Sequence, residues 1–182
     1  MAKLEKLYKR CAENFAAKEF YEAHQIAKTI FHRELESKNH EKLSKFLYAK
    51  ALDFINVNER TSALDLADLY VQTLSTGALP LNDERLSEIQ TLFQSLPATL
   101  PTLTESKERD CRTAFTNKVL RWSADVAPEK HPENPGDTRV MQIVAPMLAA
   151  YRRQQDDEEM TDDEEEQKPE LKNRDLIHED LD

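Results

Sequence analysis

The chain has 182 residues, with 25 Lys+Arg against 35 Asp+Glu and a net charge of -10, and it holds only two glycines, Gly77 and Gly136. Average usage near 7% would give about 13 glycines, and so few exclude the phosphate-cradling loops in which a residue without Cβ lets the backbone approach closely. The deficit also argues against a many-hairpin β fold, and the acidic balance argues against a nucleic-acid ligand.

Helical spacing dominates from the start. Leu4, Leu7, Tyr8, Cys11 and Phe15 lie on one face of a first helix, opposite Lys6, Lys9, Arg10 and Glu13. A second helix is predicted from near Glu19, with Ala23, Ile26, Ala27, Ile30 and Phe31 on its stripe. A third runs from about His40 to Ile55 with Leu43, Phe46, Leu47, Phe54 and Ile55, and a fourth from about Glu59 to Ser75 with Ala63, Leu66, Ala67, Tyr70 and Leu74. Asn82 is placed to cap a fifth, whose stripe is Leu86, Ile89, Phe93 and Leu96. Pro97 and Pro101 bracket a linker, and Thr102-Leu-Thr-Glu105 has the form of a capping box ahead of a sixth helix carrying Cys111, Phe115, Val119 and Trp122. Residues 128–137 read as a loop, and a seventh helix is predicted near Asp137 with Val140, Ile143 and Val144, to be kinked or stopped at Pro146. No strand pattern is evident.

The set Ala23, Ile26, Ala27, Ile30 recurs forty residues later as Ala63, Leu66, Ala67, Tyr70. A period of that size built from helix pairs is in the range of α-solenoids, and one pair cannot bury its apolar face alone. The expected fold is therefore all-α: a right-handed α-solenoid of antiparallel helix pairs over residues 1–151, about seven helices, followed by an acidic tail over 152–182. That tail has 5 basic and 14 acidic residues, while residues 1–50 have 11 basic and 7 acidic. Like charges at the density of Asp156 to Glu166 repel and leave little apolar surface to offset chain entropy, so the tail is expected to be disordered.

Chemistry-bearing patterns are absent. Cys11 and Cys111 suit neither a disulfide framework nor a zinc site and read as buried apolar residues in a reducing compartment. His24, His32 and His40 recur every eight residues, about 80° beyond two full turns, so they do not converge on a metal. No nucleophile signature occurs. No catalytic residue, cofactor or metal ligand is nominated, and an enzyme is not expected. The start, Met1-Ala-Lys-Leu-Glu-Lys, lacks the apolar core of a signal peptide, and the longest apolar stretch, Ile143 to Tyr151, is far short of the roughly 20 residues that span a bilayer. A cytosolic place without direct membrane insertion is expected.

Phe20-Tyr-Glu-Ala-His-Gln25 resembles the aromatic-Tyr-Glu-Ala-His-Gln signature in the second helix of the Golgi-to-ER traffic factor four family, which serves the guided entry of tail-anchored proteins. Lys28-Thr29, Arg33, Ala51-Leu-Asp-Phe54, Leu64-Asp65-Leu66, Val119-Leu-Arg-Trp-Ser123 and Gly136-Asp137 are similar to later segments of that family. The family-signature positions are thus Tyr21, Glu22, Ala23, His24, Gln25 and Trp122, and the likeness covers about residues 3–145. Tyr21 and Ala23 are expected to set the first turn of the second helix against the first.

The resemblance implies a cytosolic α-solenoid adaptor without catalysis in the post-translational targeting of tail-anchored membrane proteins to the endoplasmic reticulum. It implies docking of a targeting ATPase on the early helices, carried by position onto Lys6, Arg10, Lys28, Arg33 and Asp65. The family is about twice this length, so the elements that hold its ubiquitin-like co-chaperone are expected to be missing, with a poorly capped C-terminal end. The other reading of the charge pattern is an acidic-tailed chaperone of basic protein clients, with the helices as a presenting scaffold.

Overall fold

In the computed structural model, described over residues 2–97, 99–101 and 108–126 and at the single positions 142, 145 and 149, four long helices follow in strict register. These are α1 (Ala2–Ala16), α2 (Phe20–Glu36), α3 (His40–Asn56) and α4 (Arg60–Thr76). Positive φ occurs at Lys18 (63°), Lys38 (58°), Asn58 (63°) and Ala78 (45°), so one left-handed residue follows each helix at an interval of 20. Around each, the same two hydrogen bonds form. Lys18 N–H donates to the Phe15 carbonyl and Glu19 N–H to that of Asn14, and the pairs repeat as Lys38→Leu35 with Asn39→Glu34, Asn58→Ile55 with Glu59→Phe54, and Ala78→Ser75 with Leu79→Leu74. This is the Schellman motif, which satisfies the orphan carbonyls at a helix end and turns the chain.

The register explains the core. Cys11, Phe31, Ala51 and Val71 are equivalent along the four helices and all are buried, as are Ala27, Leu47 and Ala67. Helix α1 packs on α2 and α3 on α4; α4 then packs on α6 and α3 on α5, so pairs stack on pairs. The two copies of the repeated set, Ala23/Ala63, Ile26/Leu66, Ala27/Ala67 and Ile30/Tyr70, are all in the core. Alanine at the contact positions admits a neighbouring backbone closely, which is what a stack of helix pairs requires. Both cysteines are buried, and neither forms a disulfide.

The period breaks after Ala78. Pro80 follows, and Asn82, extended at φ -141°, caps α5 (Asp83–Ser95) by accepting the Arg85 N–H at 2.9 Å. Its predicted stripe is buried, and Leu92 joins it. Two short strands, β1 (Thr99–Pro101) and β2 (Glu108–Asp110), pair antiparallel with Leu100 opposite Arg109. This ribbon corrects the expectation of no strand: three residues are too few for alternation to register, and Pro101 is tolerated because an edge strand does not need its N–H. Helix α6 is Cys111–Val126, with Cys111, Phe115, Val119 and Trp122 inward as predicted. The Thr102–Glu105 capping box lies outside the described residues, as does the seventh helix with its break at Pro146, save for helical Gln142, Ala145 and Ala149. The chain divides into two units, Met1–Leu148 and Ala149–Asp182. No described helix is long and apolar enough to cross a membrane.

Gly77, the glycine among the described residues, does not supply a left-handed turn. Gly77 has φ -80° and precedes the left-handed Ala78; it is small because a Cβ there would meet His40 Cβ at 2.6 Å and Cγ at 2.7 Å. Adjacent substitutions should therefore act oppositely. Ala78→Gly relieves a left-handed alanine and should stabilise by about 0.5–1 kcal/mol. Gly77→Ala should destabilise by about 1–3 kcal/mol through overpacking on His40. Urea midpoints at constant slope read both, and stabilisation by Gly77→Ala would contradict the packing.

Candidate functional site

The residues of the hexapeptide divide by helical angle. Phe20 turns inward, its ring 5.3 Å from Phe15 and 6.3 Å from Phe54. Ala23 is fully buried, its carbonyl accepting the Cys11 Sγ–H at 3.4 Å. Tyr21 is 70% exposed. The expectation that Tyr21 sets the first turn against α1 is thus wrong; Phe20 does so, because Phe20, Ala23 and Ala27 share the inner face and Tyr21 is rotated about 100° from Phe20. Glu22 and Gln25 are exposed or nearly so, Glu22 in the first turn where the helix dipole favours an acid.

His24 leads out of the hexapeptide to the second helix pair. Its Nε2 is 2.9 Å from Asp65 Oδ2 on α4, and Lys28 Nζ, one turn further along α2, is 3.0 Å from the same oxygen. An ionised carboxylate only accepts, so the His24 Nε2 carries the hydrogen of this bond. The ring also lies 6.0 Å from that of Phe54, edge to face. The His24 hydrogen bond, reinforced by Lys28 against the opposing effect of burial, lowers the Asp65 pKa to about 2. One turn further along α4, Asp68 pairs with Lys118 of α6. The two acids of α4 are thus paired with side chains of α2 and α6.

Of the positions assigned by resemblance, the structure brings Lys28 and Asp65 together, with His24 between the same helices. Lys6 and Arg10 stand exposed one turn apart on α1, and Arg33 is exposed near the end of α2. No described contact joins these three to the His24–Lys28–Asp65 cluster. Trp122 is remote from it and fully buried, its Nε1–H donating 3.2 Å to the Leu79 carbonyl, so it locks α6 onto the turn that ends α4. Among the described residues no group of three or more His, Cys, Asp or Glu side chains could hold a metal.

Glu34 is a site residue that the sequence analysis does not single out. It is fully buried, accepting from Tyr8 Oη at 2.8 Å, Asn39 Nδ2 at 2.8 Å and Lys42 Nζ at 2.9 Å. Lys42, 59% exposed, covers the site from the solvent side, 4.4 Å above the Tyr8 ring. Burial alone would raise the Glu34 pKa; the Lys42, Asn39 and Tyr8 bonds outweigh it and the net shift is downward. Burial and the same carboxylate push the Tyr8 phenol up. A signal for it does exist: Glu34 follows Phe31 on the inward stripe and is equivalent to Phe54 and Leu74.

These features define a helical-repeat scaffold whose second and fourth helices share a polar seam. The family model for Golgi to ER traffic protein 4 matches residues 37–167, well over half the chain. The chain belongs to the Golgi to ER traffic protein 4 family. The match starts beyond the hexapeptide and runs past Ala145, where the likeness was expected to stop. The Golgi to ER traffic protein 4 homolog of Oryzias latipes is 30% identical over 105 residues, which are 58% of this chain and 30% of that protein. The Homo sapiens homolog is 27% identical over 106 residues, again 58% of this chain and 30% of the other. The matched part therefore spans about a third of these relatives' length. The crystal structure of C. therm. Get4 superposes with a TM-score of 0.63 at 18% identity, over 83% of this chain and 45% of that one, a likeness of fold.

Two outcomes test the polar seam. The folded pKa of Asp65 lies below its ordinary 3.8, so its contribution to stability is present above pH 3.8 and is lost as pH falls through about 2. Discounted for an exposure of 36%, the contribution is about 1 kcal/mol. Asp65→Asn should remove that much at pH 7 and flatten the loss of stability below pH 4, read from urea midpoints along a pH series. For the buried acid, Glu34→Ala should cost about 2–3 kcal/mol, since Tyr8 and Asn39 lose their acceptor. Glu34→Gln, which keeps one acceptor oxygen, should cost about half as much.

Proposed function

We propose that the chain is a non-enzymatic adaptor in the post-translational targeting of tail-anchored membrane proteins to the endoplasmic reticulum, and that it docks the targeting ATPase through α1 and α2. Family membership carries the reading. The surface of α1 and α2 supports it: Lys6, Arg10 and Arg33 present exposed cations, and Tyr21 presents an exposed aromatic ring. An acidic face on the ATPase would complement this surface, and charge complementarity raises encounter rate and fixes register. Tyr21 would serve as the anchor, since a rigid aromatic side chain gives contact area at low entropy cost.

Lys28 and Asp65 take a different part in this reading. They are tied to each other and to His24, so they hold α2 against α4 and keep the docking helices in position, with Lys28 still partly open to a partner. The ubiquitin-like co-chaperone is not assigned to this chain.

The test is capture of the targeting ATPase by the full chain. Arg10→Glu with Arg33→Glu should weaken binding at least tenfold at low salt, and Tyr21→Ala should do so at any salt. Removal of residues 152–182 should leave binding unchanged. Undiminished capture by the charge-reversed protein, or loss on removing the tail, would overturn the assignment; the second result would favour a tail-borne binder of basic clients.

A further inference from the structure

Glu34 is the one acid among the buried described residues, and the cation that balances it is not buried. Lys42 Nζ reaches Glu34 Oε1 at 2.9 Å from a side chain that is 59% exposed, while the carboxylate itself has no exposure. We propose that Lys42 is an acylation switch for the first repeat. Transfer of an acyl group from an acyl thioester to Nζ removes the charge that holds Glu34 in the core, and α1 is released from α2 and α3.

The asymmetry between the two ends of this pair carries the inference. Tyr8 Oη and Asn39 Nδ2 also donate to Glu34, but both are neutral, and Lys42 is the one cation on the carboxylate among the described contacts. In every other described lysine pair the acid keeps contact with water: Glu13, Asp65, Glu84, Asp53 and Asp68 are all at least partly exposed. Water takes over when such a pair is broken, so those pairs matter little. Removing one member of a buried pair leaves the other charge uncompensated, which is far more costly. Lys42 also lies 4.4 Å above the Tyr8 ring, and that ring packs edge to face on Phe46 of α3 at 4.9 Å. Helix α1 is thus fastened through one aromatic side chain, bonded to the carboxylate and covered by the ammonium. An amide at Nζ is neutral, keeps a single N–H and loses the cation–π attraction.

The group to be modified is within reach of solvent. Lys42 is in the first turn of α3 and borders a surface hollow with Lys38, His40 and Leu79. Lys38 is exposed and has no described side-chain contact, so acylation there removes a charge that compensates nothing. The reaction balances without a further reagent. The ammonium gives up one proton to water, Nζ attacks the thioester carbonyl, and the C–S bond breaks. The thiol leaves with the second proton, and nitrogen keeps the third as the amide hydrogen. Lys6 and Arg10 ride on α1, so on the docking reading given above, and only on it, the switch also withdraws two cations from the ATPase.

The full chain with acetyl-lysine installed at position 42 tests the proposal, beside the same chain acetylated at position 38. Acetylation at 42 should lower the thermal midpoint by about 5 °C or more. It should speed amide exchange at least tenfold in α1 while α4 keeps its rate. Acetylation at 38 should change neither, and Lys42→Gln, which loses the charge without adding the acetyl group, should reproduce the pattern. In a Glu34→Gln background, acetylation at 42 should have less than a third of its effect, because no buried charge is then left behind. The folded chain incubated with an acetyl thioester should take up acetyl at Lys42, read by peptide mass. Label at Lys38 but none at Lys42, protection of α1 unchanged by acetylation at 42, or an equal effect in the Glu34→Gln background would overturn the switch. Capture of the ATPase separates this from the docking reading: unchanged capture by a chain whose α1 exchanges fast upholds the switch and counts against docking through α1.

Discussion

The left-handed turn that recurs at Lys18, Lys38, Asn58 and Ala78 governs how the helices stack. A helix of 17 residues makes about four and three-quarter turns, and a fixed three-residue connection returns the next helix with its inner stripe facing the previous one. Because every connection is the same, equivalent positions meet equivalent positions. Phe31, Ala51 and Val71 can then form one continuous core row from unlike side chains. A single non-equivalent turn would rotate every later stripe. Where the repeat does end, Pro80 and the Asn82 cap impose a different connection, and the stack goes on through the shorter α5.

That repetition also accounts for the buried carboxylate. In the last of these turns, Leu74 and Leu79 occupy the two positions whose side chains commonly meet across a Schellman motif. At the second turn the same two positions hold Glu34 and Asn39, and a 2.8 Å hydrogen bond between their side chains replaces the apolar contact. An acid on a core stripe would ordinarily be expelled or neutralised, since an unpaired buried charge costs several kcal/mol. Here Tyr8 from α1 and Lys42 from α3 complete its coordination, so one side chain ties three helices at the base of the first repeat. The arrangement is directional, as an apolar contact is not, and it fixes α1 against the start of the second pair.

Much of this fold is legible in the amino acids because a 3.6-residue apolar period is local information. Ala23 and Ala63, Phe115 and Trp122, and the Asn82 cap can all be read from spacing. Spacing does not show which exposed or half-exposed residues meet across 41 positions of sequence. His24 and Asp65 carry no mutual spacing signal; their bond exists only because the repeat stacks α2 on α4. Tyr21 is misplaced by sequence reasoning for a related cause: the hexapeptide suggests a unit, but helical geometry sends Phe20 inward and Tyr21 outward. The β1–β2 ribbon is invisible in the sequence since its pairing is made by tertiary context and not by strand-forming residues.

The cations of the first two helices do not form one uniform surface. Lys28 is engaged by Asp65, and Lys42 at the start of α3 by Glu34, so both serve the joints between helices, while Lys6, Arg10 and Arg33 remain at the exposed faces. A net-charge count over residues 1–50 merges these groups, although only the second can change a partner's long-range field without disturbing the scaffold. The first would still respond to a contact made at it. A partner that drew Lys28 away from Asp65 would leave His24 as the remaining cross-helix donor to that carboxylate among the described contacts, and the seam between α2 and α4 would loosen. A contact made at Lys28 would therefore be coupled to the stacking of the first pair on the second, with Asp65 as the group through which the two are linked.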